Sequence, residues 1–299
     1  MRRADLLDLV LLAALWGGSF LFTRIAAPAF GPLPVAGLRV AGAALVLLPL
    51  LAWRGETAAL GRHWRPLLLV GLSTSALPFA LYAYAALRLN AGLASIFNAA
   101  TPLFAALIAW AWLGDRPSRP RVLGLVIGFL GVFGLAWSKA GLAVDGEPGL
   151  ALAVAACIVA TLSYGYAATA TKRFLSGAPS LAVAAGSQLA ATLLLAGPAA
   201  LTWPARSPGP LAWFAVAALA FASTGLAYLL YFRLIARVGP ARAVTVTFLV
   251  PAFAVAWGAL FLGETLTLPM VAGCGVILFG TALAVGLVGG PRPARTGRG

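Results

Sequence analysis

Ten charge-poor apolar stretches follow one another along this chain of 299 residues. Each has about the 20 residues that a helix needs to cross the hydrocarbon core of a bilayer. The chain is 62% hydrophobic and 9% charged, so it lacks the charged residues that cover a soluble domain. These stretches predict an all-α polytopic membrane protein with ten transmembrane helices, at about residues 6–26, 34–53, 66–88, 92–113, 120–138, 149–171, 180–201, 209–234, 240–262 and 268–288.

The positive charges fall mainly on one side of this predicted array. With the N-terminus in the cytoplasm, sixteen of the 21 lysines and arginines lie in cytoplasmic segments. The positive-inside rule then predicts that both termini are cytoplasmic. Because the net charge of +14 is spread over several loops, it favours no nucleic-acid partner.

The second half of the sequence repeats the first with an offset of 149 residues, or 148 in the first helix of each half. The matches least expected by chance pair Tyr82 with Tyr231, Pro102 with Pro251, Leu113-Gly114-Asp115 with Leu262-Gly263-Glu264, and Trp16 with Tyr164. Five helices per copy is an odd number, so the copies are expected to lie antiparallel. We predict two inverted five-helix repeats at 1–143 and 144–288, followed by a disordered cytoplasmic tail at 289–299.

Two matched prolines indicate where these helices bend. Pro102 and Pro251 lie near the middle of predicted helices 4 and 9, where proline removes a backbone donor and frees the carbonyl four residues earlier. Those carbonyls belong to Asn98 and Thr247, and Thr101 shares a helix face with Asn98. The prolines are therefore candidate hinges. The polar residues either line a cavity or hold neighbouring helices together.

Four aromatic residues lie deeper than the aromatic belts of the membrane surfaces. They form two repeat-matched pairs and, with the polar side of helix 1, are the candidate cavity residues Trp16, Tyr82, Tyr164, Tyr231 and Ser19. An aromatic wall suits a planar apolar side chain or an ammonium group. The alternative interpretation is ordinary core packing.

Arg39 is a cation well inside a predicted span, where a charge is costly. Its repeat partner is Gln188, which is also polar. Arg39 either binds a carboxylate or acts in gating, or its side chain snorkels to the outer interface or bonds to carbonyls at a helix end.

The residue types needed for catalysis or metal binding are poorly placed. Cys157 and Cys274 lie in separate spans and give no metal motif, and the sequence contains no Walker loop. We therefore expect no enzyme activity, cofactor or metal site. All seven acids lie at span ends or in loops, which predicts that no buried carboxylate serves as a proton relay: Asp5, Asp8, Glu56, Asp115, Asp145, Glu147 and Glu264.

Several motifs resemble the EamA branch of the drug/metabolite transporter superfamily. They are W-G-G-S-F at 16–20, L-R-V-A-G-A-A-L at 38–45, N-A-A-T-P-L-F at 98–104, and L-G-D and L-G-E after helices 4 and 9. Within that branch the chain is most similar to YddG-like bacterial exporters of aromatic amino acids. The resemblance implies the drug/metabolite transporter fold, a multi-pass protein of the bacterial inner membrane, and a central cavity for a small-molecule substrate.

The resulting hypothesis is an exporter of small metabolites, foremost amino acids with large or aromatic side chains, that works by alternating access. One alternative is an exporter of organic cations or other metabolites. Another is a non-transporting membrane scaffold or a scramblase-like protein. Glycine runs at 124–131 and 273–280 predict either an internal seam or a dimer face, so a monomer and a homodimer both stay open.

Overall fold

The structure is a computed structural model that describes residues 3–140, 149–239, 243 and 245–287. These residues are helical throughout, with short connections and no strand among them. The main helices are α1 Arg3–Phe30, α2 Pro32–Trp53, α3 Trp64–Ala85, α4 Ala91–Leu113, α5 Arg119–Ala140, α6 Leu150–Phe174, α7 Ser180–Leu201, α8 Pro210–Val238, α9 Val246–Leu262 and α10 Leu268–Ala284. A short helix, Ala58–Arg62, precedes α3. The predicted tail at 289–299 lies outside the described residues.

The helices have the length and composition expected for membrane spans. In the described part of the chain, α1 to α8 are long and apolar enough to cross a bilayer, whereas α9 and α10 are apolar helices of 17 residues each. The predicted all-α polytopic class is therefore confirmed. Ten crossings and the cytoplasmic location of both termini stay predictions.

The middle of α4 is broken rather than bent. Its two pieces, Ala91–Asn98 and Thr101–Leu113, are separated by a turn. Pro102 lies in the first turn of the second piece, where the missing N–H removes no hydrogen bond. The freed carbonyl of Asn98 accepts a hydrogen bond from Thr101 Oγ1 at 2.8 Å. By contrast, α9 continues as a helix through Pro251, so the two matched prolines act differently.

α3 and α8 each contain a π-helical segment at matched positions. The segments are Leu72–Ala76 in α3 and Ala218–Leu226 in α8. A π-turn leaves backbone carbonyls without their usual partner, and Thr224 Oγ1 donates a hydrogen bond to the carbonyl of Leu219 at 2.8 Å. The wider turn changes which side chains face the neighbouring helices.

Helix contacts follow the repeat. α1 packs against α9 and α6 packs against α4, while α2 pairs with α7 and α5 with α10. If each helix is exchanged with its repeat mate, this set of contacts maps onto itself. Such reciprocity is expected of two halves related by a two-fold axis.

Glycines permit the close approach in these pairs. A Cβ atom on Gly17 of α1 would lie 2.6 Å from Phe253 Cβ of α9, and one on the matched Gly165 of α6 would lie 2.7 Å from the Ala105 nitrogen of α4. Small residues of this kind allow backbones to touch inside a membrane.

The predicted glycine runs of α5 and α10 form an internal seam. A Cβ on Gly280 would lie 2.3 Å from the backbone nitrogen of Gly128, and one on Gly124 would lie 2.4 Å from the backbone nitrogen of Ala284. Contacts between two backbones cannot be relieved by rotating a side chain. Of the two predicted roles for these runs, the structure therefore supports the seam.

Replacing Gly280 with alanine should destabilise the folded protein by about 1–3 kcal/mol, because the added methyl group forces α5 and α10 apart. The melting temperature in detergent measures this loss. Gly134→Ala is the matched control, since a Cβ there meets open space and should change stability by no more than about 0.5 kcal/mol. Equal melting temperatures for the two variants would contradict the seam.

Candidate functional site

Tyr82 is the centre of a buried group of polar and aromatic side chains from four helices. Its hydroxyl lies 2.8 Å from Thr161 Oγ1 and 3.4 Å from Asn98 Oδ1. Its ring packs edge-on against Phe20 at 5.5 Å and stacks with Tyr164 at 6.1 Å between ring centroids. These five residues, hereafter the Tyr82 cluster, join α1, α3, α4 and α6.

The repeat mates of Tyr164 and Tyr82, which are Trp16 and Tyr231, form a second ring contact. Their ring centroids lie 5.3 Å apart. Since Trp16 matches Tyr164 and Tyr231 matches Tyr82, this contact is the repeat mate of the one between Tyr82 and Tyr164. The four predicted aromatic residues thus form two ring contacts that are equivalent under the repeat. Each contact joins one residue from the first half of the chain to one from the second half.

Two buried polar contacts are related in the same way. Arg39 Nε of α2 donates a hydrogen bond to Thr224 Oγ1 of α8 at 2.9 Å. Gln188 Nε2 of α7 donates one to Ser75 Oγ of α3 at 2.8 Å. Gln188 matches Arg39 and Thr224 matches Ser75. The π-helical segments of α3 and α8 therefore supply equivalent acceptors to two helices of the other half.

Arg39 is buried without a carboxylate partner in the described part of the chain. The side chain is 9% exposed, and its guanidinium lies 3.7 Å above the ring centroid of Phe79. The ion pairs of the described residues involve other cations. In this structure Arg39 lies inside the helix bundle, and its role in anion contact or gating stays a prediction. A buried cation in this setting attracts an anion.

Tyr164 connects Arg39 with the Tyr82 cluster. It packs against the buried group that contains Phe79, whose ring lies under the guanidinium of Arg39. It also stacks with Tyr82. Arg39 and the Tyr82 cluster are therefore joined, through Phe79 and Tyr164, in one contiguous group that contains aromatic rings, an amide at Asn98 and a cation.

Other predicted cavity residues have hydroxyls directed to their own helix. Ser19 Oγ donates to the carbonyl of Trp16 at 2.7 Å, and Thr101 Oγ1 donates to that of Asn98. Thr247 is partly buried in α9.

Sequence reasoning missed Phe20, Thr161, Thr224 and Tyr228. Of these, Thr224 alone carries a signal, as the repeat partner of Ser75.

Two of the acids that were placed at span ends or in loops, Asp5 and Asp8, are buried, contrary to what their position in the sequence indicates. Both are buried in the first turns of α1, where arginines of α8 compensate their charge: Asp8 pairs with Arg233, and Arg237 lies 3.8 Å from Asp5 Oδ1. The spacing i, i+3 on α1 and i, i+4 on α8 places these charges on facing sides of the two helices.

In the described ranges, no group of three or more His, Cys, Asp and Glu could hold a metal ion.

Two cavities occupy repeat-matched positions and differ in size. The wide cavity, about 820 Å³, lies where the end of α2, the start of α7 and the second half of α8 meet; it is lined by residues including Arg54, Glu56, Leu226, Leu230 and Arg233. The narrow cavity, about 430 Å³, lies between the start of α2, the end of α7 and the second half of α3. Its lining includes Leu77, Leu81, Tyr84 and Thr202. Leu226, Leu230 and Arg233 match Leu77, Leu81 and Tyr84.

Comparison with known proteins gives consistent matches over nearly the whole chain. The EamA-like transporter family matches residues 6–137 and 151–286. The chain is 28% identical over 279 residues to the uncharacterized inner membrane transporter YedA of Escherichia coli K12, covering 90% of this chain and 86% of that protein. It is 27% identical over 271 residues to the uncharacterized transporter YvbV of Bacillus subtilis, covering 89% and 86%. A crystal structure of a protein 21% identical aligns with a TM-score of 0.66 over 95% of this chain and 98% of that one, which shows the fold.

Thr224→Val should destabilise the protein by about 1–3 kcal/mol, because it removes the acceptor of Arg39 and leaves a buried donor unsatisfied. The melting temperature in detergent is the measurement. Thr169→Val is the matched control, since Thr169 is also buried but its hydroxyl bonds only to a carbonyl of its own helix at 3.1 Å. A loss of equal size in both variants would contradict a specific role for the contact between Arg39 and Thr224.

Proposed function

The chain belongs to the EamA-like transporter family, and from this premise we propose that it exports amino acids with large or aromatic side chains. It is a multi-pass protein of the inner membrane and a transporter of small molecules. The choice of cargo, the outward direction and alternating access are the proposed part. YddG-like specificity is proposed on the same grounds.

The observation that carries the proposal is the contiguous group formed by the Tyr82 cluster, Phe79 and Arg39. The rings of Tyr82 and Tyr164 offer stacking faces to a planar side chain. The hydrogen bond from Arg39 to Thr224 uses Nε. The two terminal guanidinium nitrogens of Arg39 would therefore be the groups that bind a carboxylate. An amino acid with an aromatic side chain carries both groups that these residues would bind.

The charge of Arg39 favours this cargo over organic cations. A cation beside a buried and unpaired guanidinium would meet repulsion in a medium of low dielectric constant. An anionic or zwitterionic cargo would instead neutralise a charge that is costly at this depth. Other metabolites with a carboxylate would match the charge of Arg39 but would stack less well on the aromatic rings than a cargo with an aromatic side chain.

The unequal cavities support alternating access. Under the predicted orientation, the wide cavity opens toward the cytoplasm and the narrow cavity toward the periplasm. Because the two are repeat mates, an exchange of conformation between the halves would narrow one and widen the other. We therefore propose that this structure corresponds to the state that receives cargo from the cytoplasm.

The proposed mechanism does not use a buried carboxylate as a proton relay. The Tyr82 cluster and its contacts with Arg39 include no acid. Asp8 precedes Trp16 by eight residues, or roughly 12 Å along α1, and is held by Arg233. Cargo movement down its own gradient fits this arrangement.

Purified wild-type protein in liposomes should carry a labelled aromatic amino acid, and unlabelled cargo should compete. Tyr82→Ala should raise the half-saturating concentration about tenfold, equivalent to ~1.4 kcal/mol of lost cargo binding. Phe279→Ala is the control, since Phe279 is 54% exposed on the outside of α10. Absence of amino-acid flux in the wild type would overturn the proposal, as would unchanged flux in Tyr82→Ala.

Arg39→Gln tests the charge of the cargo. The substitution places in α2 the side chain that the matched position of α7 already holds. Flux of an aromatic amino acid should fall on the order of tenfold, because a charge-assisted hydrogen bond is lost. Flux of the corresponding aromatic amine, which lacks the carboxylate, should not fall. A wild type that prefers the amine would favour the organic-cation alternative.

A further inference from the structure

The wide cavity contains two opposite charges that do not neutralise each other. Arg54 follows the last residue of α2, and Glu56 lies two residues further along the chain. Both line the cavity, and neither forms an ion pair with any residue that the structure describes. The carboxylate oxygen Oε2 of Glu56 is buried without a hydrogen-bond partner.

A third charge in the lining is already compensated. Arg233 pairs with Asp8 of α1, so its charge is balanced within the protein. The cavity therefore presents one uncompensated cation and one uncompensated anion to whatever enters it.

The repeat shows that these charges belong to one cavity only. The position matching Arg233 is Tyr84 and the position matching Arg54 is Trp203, and the residues that line the narrow cavity carry no charge. The apolar walls are shared by both cavities, through pairs such as Leu226 and Leu77. A structural role common to both halves would require equivalent charges at both cavities.

Residues that line the wide cavity are in contact with, or share a helical segment with, residues of the proposed cargo site. Phe232 lines the cavity, and its ring centroid lies 6.0 Å from those of Tyr228 and Tyr231. Leu226 also lines it and shares the π-helical segment of α8 with Thr224, the partner of Arg39. The lining of the wide cavity is therefore connected to the Trp16–Tyr231 pair through Phe232 and to the acceptor of Arg39 through the π-helical segment of α8.

We propose that the wide cavity is a second binding site, an intake site for zwitterionic cargo. The ammonium group of the cargo binds Glu56, the carboxylate binds Arg54, and the side chain lies against Phe232 and Leu226. This inference rests on the proposed function, since it assumes that amino acids are the cargo. The site raises the local concentration of cargo at one mouth of the path, while the narrow cavity lacks charges that would retain it.

Glu56→Gln and Arg54→Gln test the site in everted inner-membrane vesicles, which expose the cytoplasmic face. Each variant should raise the half-saturating concentration of a labelled aromatic amino acid about tenfold with little change in maximal rate. Arg62→Gln, an exposed arginine outside the cavity lining, should leave both values unchanged. Measuring an aromatic amine and an aromatic carboxylate assigns the charges: Glu56→Gln should weaken uptake of the amine only, and Arg54→Gln that of the carboxylate only.

The possible results separate the two proposals. If wild-type vesicles transport the amino acid but the variants retain the wild-type half-saturating concentration, the intake site is wrong and the proposed function stands. If the wild type transports no amino acid, both are overturned. Phosphatidylethanolamine carries the same pair of charges, so lipid bound to the purified proteins is measured in parallel. Loss of that lipid in the variants without a change in half-saturation would identify the cavity as a lipid site and overturn the inference.

Discussion

Inside a bilayer no water is available to satisfy a polar group, and this constraint governs how the two halves meet. Arg39 and Gln188 can be buried because Thr224 and Ser75 of the other half accept their hydrogen bonds. Those acceptors lie in π-helical segments, where hydroxyl side chains and loosened backbone replace regular helix. The cost of burying polar side chains therefore joins α2 to α8 and α7 to α3.

The repeat explains both what is shared and what differs. Matched residues make equivalent contacts in the two halves. The contact of Trp16 with Tyr231 corresponds to that of Tyr164 with Tyr82. The close approach of Gly17 to α9 corresponds to that of Gly165 to α4. Differences appear where a transporter must treat its two sides unequally. One half carries a cation where the other has an amide, and one cavity carries charges that its mate lacks. The matched contacts form the framework, and the few departures from the repeat are differences in charge.

Sequence reasoning identified the helices and the four deep aromatic residues because both follow from local pattern and from the repeat. It paired these residues by the repeat, Trp16 with Tyr164 and Tyr82 with Tyr231, and did not predict the ring contacts of Trp16 with Tyr231 and of Tyr82 with Tyr164. It did not predict the π-helical segments, since serine and threonine in an apolar stretch are equally compatible with a regular helix. The partners Thr161 and Phe20 come from helices whose packing no local pattern records. The position of Asp5 and Asp8 at a helix end indicated that they would be exposed. They are instead buried because Arg233 and Arg237, which are distant in the sequence, pack against them and balance their charge.

The glycines that follow Trp16 and Tyr164 bear on how such a scaffold changes cargo. Gly17 and Gly165, at which two helices approach each other closely, directly follow Trp16 and Tyr164. A different side chain before either glycine would change the ring contact with Tyr231 or Tyr82 and would leave the close approach at the glycine in place. The residue that supplies a ring and the residue that holds two helices together are thus neighbours in the sequence, so the first can be exchanged without rebuilding the helix contact.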